Sequence, residues 1–97
     1  MDKRRSEAIA HASVSRHSVT LLTRPGCGLC NTAYAQLEAL SAEFGFSVDV
    51  IDVDGIASEQ PELRAEYGDR LPVVLLDGRE HSYFEVDEPR LRADLSR

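Results

Sequence analysis

The chain has no tryptophan, a single lysine and only two cysteines, and no apolar run in it approaches the ~18–20 residues needed to cross a bilayer. Two cysteines held two residues apart close too small a loop to staple a secreted domain, which usually carries four or more across long loops. No apolar segment of signal-peptide type follows the basic start at Lys3, Arg4 and Arg5. These absences give the expectation of a soluble protein in the reducing cytoplasm. An excess of positive charge is missing as well. Eleven basic residues stand against 17 acidic ones, and a net charge of −6 repels phosphate backbones and anionic lipid, so neither nucleic acid nor membrane is an expected partner. The basic residues gather early, at Lys3, Arg4, Arg5 and Arg16, so the remainder is more acidic than the whole. Internal repeats and low-complexity segments are absent.

What is present is enough for one core. With 97 residues, 42% of them apolar and 29% charged, the chain fits a single small domain and leaves no room for a second. Met1 to about His17 lacks a sustained apolar period and is dotted with Ser6, Ser13 and Ser15. The expectation is a flexible tail over 1–18 and one folded, monomeric domain over 19–97.

Within that domain the periodicities change in a regular order. Val19-Thr20-Leu21-Leu22-Thr23 is β-branched and apolar and runs into Pro25-Gly26, as a buried strand entering a loop does. From Cys30 onward Ala33, Leu37, Leu40 and Phe44 recur at helical spacing, with Gly45 as a stop. Val48 to Val53 reads as a second strand, so the first three elements form a βαβ unit with parallel strands. Pro61 suits the first turn of a short helix through Leu63 and Tyr67, ended at Gly68. Leu71-Pro72 then leads into Val73-Val74-Leu75-Leu76, a third strand, and Asp77-Gly78 signals a hairpin to a fourth near Glu80 to Phe84. Asp87 suits the cap of a last helix with Pro89 in its first turn and Leu91 and Leu95 facing inward.

The chemistry-bearing pair is Cys27 and Cys30. In a reducing compartment a lone Cys-x-x-Cys is a redox or metal element. Cys27 falls at a helix start, where the dipole and unpaired backbone N–H groups stabilise a thiolate, and Cys30 lies one turn into the same helix. Gly26 and Gly28 leave the backbone uncrowded there, and Leu29 offers an apolar contact beside the sulfur.

The run of strand, Arg24-Pro25-Gly26-Cys27-Gly28-Leu29-Cys30, helix, strand, helix, Leu71-Pro72, hairpin and terminal helix resembles the thioredoxin superfamily, and at this size its glutaredoxin-like small bacterial members. The resemblance covers about residues 19–97. It implies an α/β fold of thioredoxin type, three layers α/β/α around a four-stranded mixed sheet in the order βαβαββα. It also implies a thiol-disulfide oxidoreductase acting on disulfides of proteins or small molecules, with an external reductant and no cofactor or metal. By position Cys27 would attack and Cys30 resolve, with a cis Pro72 facing them and the Leu71 backbone offering the substrate a hydrogen-bonding edge. Gly28 and Leu29 join them as substrate contacts, and Arg24 reads either as a surface charge or as a basic residue that lowers the Cys27 pKa or meets a substrate carboxylate. The match departs from the family pattern in two places. Leu29 stands where thioredoxins carry proline, and Phe84-Glu85-Val86-Asp87-Glu88 replaces the Gly-Gly pair with which glutaredoxins hold the glutathione carboxylate.

Two other functions stay open at this point. One is a thioredoxin-fold binding module without catalysis, docking through Leu29 and Leu71. The other is a metal or iron–sulfur site on the cysteine pair, although such sites take about four ligands and His11, His17 and His81 are distant in sequence. The remaining candidates read more simply as structure. Tyr34 is expected in helix packing, Tyr83 and Phe84 in the core or covering the sheet, and Asp49, Asp52 and Asp54 as solvated strand ends. Glu85, Asp87 and Glu88 read as a loop and a helix cap.

Overall fold

The computed structural model describes residues 16–97. Most of the expected tail therefore lies outside the described residues. Its last two positions are tied down: the Asp77 carboxylate accepts the Ser18 N–H at 2.8 Å and contacts His17 Nδ1 at 2.7 Å.

Four strands and three helices alternate among the described residues: β1 (Val19–Thr23), α1 (Gly28–Phe44), β2 (Val48–Asp52), α2 (Pro61–Tyr67), β3 (Val73–Leu76), β4 (Arg79–Tyr83) and α3 (Glu88–Leu95). The sheet order is β2-β1-β3-β4, with β1 parallel to β2 and antiparallel to β3, and β3 antiparallel to β4. The fold is the expected βαβαββα arrangement.

The unbroken apolar run of β1 follows from its central place. Successive strand residues point to opposite faces, so Leu21 and Leu22 are both fully buried only because both faces are covered. Leu21 joins Ala33, Leu37 and Leu40 of α1 and Leu91 and Leu95 of α3 in the larger core. Leu22 joins Val53 and Val73 in a second cluster, against which Leu63 and Tyr67 of α2 pack. Three layers result. Val73 and Val74 repeat the division on β3, one to each cluster.

The connections carry the residues their geometry requires. The β3–β4 turn places Asp77 at φ 54 and Gly78 at φ 83, the two left-handed residues of a tight hairpin whose twist matches its strands. Gly45 ends α1 at φ 78 and donates its N–H to Ser41 O at 2.8 Å. Gly68 ends α2 for another reason: its φ is −59, but a Cβ there would lie 2.5 Å from Arg64 O. Asp87 caps α3, accepting the Arg90 N–H at 3.3 Å.

Candidate functional site

The register brings the chemistry to one end of the sheet. Leu22 of β1 lies opposite Val73 of β3, and Val73 opposite Tyr83 of β4. The end of β1, the start of β3 and the end of β4 are thus side by side, and the loop bearing the cysteines leaves from that edge. Pro25 starts the loop and Gly26, at φ 78, turns it, which sets Cys27 as the N-cap of α1 in an extended conformation (φ −94, ψ 105). Cys27 Sγ accepts the Cys30 N–H at 3.1 Å, so the sulfur takes the place a serine or aspartate oxygen would fill in an ordinary cap.

The two sulfurs are joined as a disulfide, with the Cα atoms 5.2 Å apart. Their exposures differ: Cys27 is partly open, whereas Cys30 is 3% exposed and packs with the inner face of α1. Gly28 is exposed with nothing near the site of a Cβ, and Leu29 stands 57% exposed in the first turn. Leu71 is half-buried and Pro72 fully buried, and the peptide between them is cis. Pro72 O accepts the Phe84 N–H at 2.7 Å, which binds the end of β4 to the start of β3.

Arg24 is not free. Its Nε and Nη2 donate to the two oxygens of Asp54 at 3.0 and 3.1 Å, and its Nη1 donates to Gly68 O at 3.1 Å. The guanidinium holds the Asp54 carboxyl below its usual range, and Asp54 in turn raises Arg24. One side chain therefore clamps the cysteine loop to the loop after β2 and to the end of α2. Asp54 reads as a solvated strand end in the sequence; it is instead the clamp's acceptor. The signal lies in the parallel register, since Thr23 pairs with Asp52 and the next residues on both strands leave together. Asp52 accepts the Asp54 and Gly55 N–H groups at 3.0 Å each, and Asp49 remains exposed.

The aromatic residues depart from the expected packing. Tyr34 is 42% exposed with its hydroxyl near Glu38, and with Thr23, Arg24, Cys30, Asn31 and Val50 it lines a cleft of about 390 Å³ behind Cys30. Helical spacing places it one turn beyond Cys30, but β2 is an edge strand and leaves that flank open. Tyr83 is exposed and stacked under the Arg70 guanidinium, 4.9 Å from the ring centroid, with Tyr67 at 5.6 Å. Phe84 lies past the end of β4 at φ 68 and is 50% exposed, in neither the core nor the sheet covering. A wider cleft of about 560 Å³ lies at the other end of the sheet between His17, Asp77, Arg79, His81 and Asp94, remote from the cysteines. Among the described residues no group of three or more His, Cys, Asp and Glu side chains is placed to hold a metal ion.

Known proteins are similar to this chain in sequence and in fold. The family model of the glutaredoxin-like domain (DUF836) matches residues 18–96. Uncharacterized proteins of Mycobacterium tuberculosis and Mycobacterium bovis are 64% identical over 85 residues, spanning 87% of this chain and 88% of theirs. The solution structure of a protein from Nitrosomonas europaea is similar with a TM-score of 0.72 at 28% identity, covering 84% of this chain and 94% of that one. A crystal structure of a protein from X. campestris gives 0.61 at 32% identity, covering 81% and 96%. The thioredoxin of Fasciola hepatica, at 24% identity and a TM-score of 0.56 over 97% of this chain and 91% of its own, shares the fold.

Proposed function

The chain belongs to the glutaredoxin-like domain family and has a thioredoxin-like fold, and from that premise we propose that it is a thiol-disulfide oxidoreductase working through Cys27 and Cys30. The observation that carries the reading is the asymmetry of the pair. The partly open Cys27 sulfur caps α1 and accepts a backbone N–H, while the buried Cys30 sulfur sits within bonding distance behind it. A helix N-terminus favours the thiolate over the thiol, and the thiolate is the attacking species.

In the reduced protein Cys27 Sγ attacks one sulfur of a substrate disulfide. A mixed disulfide forms, and the other substrate sulfur leaves as a thiolate that takes a proton from water. Cys30, deprotonated to water, then attacks Cys27 Sγ. The second substrate thiolate departs, and two electrons have passed from the protein pair to the substrate. An external dithiol resets the pair by the same exchange in reverse. Gly28 leaves the approach to Cys27 uncrowded, and Leu29, the Leu71 backbone and Pro72 are the residues we assign to meeting the substrate. Arg24, bound to Asp54 and Gly68 O, serves the site by fixing the loop from which Cys27 emerges. A reducing cytoplasm suits a dithiol enzyme with no other cysteine, and among the described residues no helix is long and apolar enough to cross a membrane.

The test is a redox titration. Protein equilibrated in graded dithiothreitol buffers, quenched with an alkylating agent and weighed, should show a reversible two-electron transition between roughly −300 and −120 mV. Failure of the Cys27–Cys30 disulfide to form at any poise removes the dithiol mechanism.

A further inference from the structure

Phe84 breaks two local rules at once. A bulky residue at φ 68 occupies the left-handed region that favours glycine, and a large aromatic ring is left 50% exposed on a chain whose other rings are mostly packed or stacked. The conformation is held from both sides. The Phe84 N–H donates to Pro72 O at 2.7 Å and the Glu85 N–H to Tyr83 O at 2.7 Å, which closes a three-residue turn around Phe84. That turn fastens the ring to the start of β3, at the sheet end from which the Cys27 loop leaves. Leu29, at 57%, stands exposed in the first turn of α1, the helix that this loop enters. Glu85 follows directly, exposed and with no ion-pair partner among the described residues, whereas Asp87 and Glu88 are paired with Arg90 and Arg92. The chain as a whole carries −6.

We propose that Phe84 is a specificity-determining side chain that, with Leu29, forms an apolar rim for protein disulfides bearing an apolar residue beside the attacked cysteine and a basic residue beyond it. Backbone strain kept at an exposed position points to a use outside the fold, since nothing in the core requires the ring there. The apolar rim takes the neighbouring side chain of the substrate out of water, and Glu85 meets the basic one. A free small-molecule disulfide offers neither contact. This inference rests on the oxidoreductase reading and names the substrate class of the same site.

The experiment uses two synthetic peptides of equal length, each closed by one intramolecular disulfide, with Leu-Lys beside the first cysteine in one and Ser-Glu in the other. Reduced full-length protein is mixed with each, quenched with an alkylating agent at intervals, and the second-order rate constants are obtained by mass. The Leu-Lys peptide should react about tenfold faster, the worth of roughly 50–60 Å² of apolar surface withdrawn from water. That ratio should fall toward one in Phe84→Gly and Phe84→Asn, both of which tolerate the left-handed backbone, and persist in Phe84→Tyr. Glu85→Lys should lower it as well. Equal rates for both peptides with the wild type, or a ratio that survives both Phe84→Gly and Phe84→Asn, would overturn this inference alone. Reduction of neither peptide would remove the oxidoreductase reading beneath it.

Discussion

Substituting Phe84 by glycine and by alanine should give stabilities in the reverse of the usual order. At φ 68 a Cβ crowds the following carbonyl, at a cost of about 1–2 kcal/mol relative to glycine. Glycine offsets about 0.4–1 kcal/mol of that gain because it loosens the unfolded chain. Both substitutions remove the same half-exposed ring, so the loss of its contacts cancels between them. The glycine variant should therefore be the more stable of the two by about 1 kcal/mol. At an ordinary helix or strand position alanine leads glycine by roughly 0.5–1 kcal/mol, so the sign alone decides. In a domain of this size the difference corresponds to a shift of roughly 4–8 °C in Tm. Urea denaturation of the two oxidised variants in one buffer, with matching m values, supplies the measurement. An alanine variant equal to or more stable than the glycine variant would refute the left-handed conformation at 84 and the cost assigned to it.

Other consequences can be checked independently. Cys30→Ser should accumulate mixed disulfides with a disulfide peptide while Cys27→Ser should not, as counted by non-reducing mass spectrometry; equal trapping by both would remove the assigned order of attack. Leu37→Ala, at a fully buried position of α1, should cost about 2–5 kcal/mol in chemical denaturation. Gly78→Ala, at φ 83 in the β3–β4 turn, should lower stability by about 1 kcal/mol although nothing lies near the added Cβ. Asp54, Asp77 and Asp94 are each held below the ordinary aspartate value of 3.8, by Arg24, by Ser18 and His17, and by His81 first among their partners. A depressed carboxyl contributes stability that is full above its unfolded pKa and lost as pH falls through the folded one. Stability to urea should accordingly hold down to about pH 5 and decline below pH 4; a flat profile there would show that these pairs do not survive in solution.

Most of the fold was legible in the sequence because its signals are local and agree with one another. Ala33, Leu37 and Leu40 share the inner face of α1 through their spacing alone, and Asp77-Gly78 names its own turn. The Cys27 cap was equally legible, since a strand, Pro25-Gly26 and an apolar helical period leave one place for a helix to begin. What could not be read depends on which segments meet. Arg24 and Asp54 are 30 residues apart, and only the parallel register of β1 with β2 makes them a clamp. Tyr34 has the sequence environment of a packed residue, and its exposure follows from β2 standing at the sheet edge. Phe84 reads as the last residue of the fourth strand in the sequence, but the chain leaves the strand at Tyr83 and turns it outward.

The two ends of the sheet obey different rules. At the β3–β4 turn Asp77 and Gly78 take the left-handed region two residues deep, Ser18 and His17 meet the Asp77 carboxylate, and His81 Nε2 pairs with Asp94 across to α3 at 2.8 Å, although the buried His81 Nδ1 has no partner among the described residues. At the opposite end Leu29 stands in solvent, a phenylalanine sits where glycine would be less strained, and a cleft is left open behind a buried cysteine. Sequences that fold to one state keep local preference and global packing in agreement, and departures collect where function overrides stability. Three of the departures here, Leu29, Phe84 and the open cleft, lie at the end of the sheet from which the Cys27 loop leaves. Arg24 then acquires a reason for its three hydrogen bonds: a loop that carries an accessible sulfur and exposed apolar neighbours contributes little packing of its own, so its position is set by charge-assisted hydrogen bonds to two other segments.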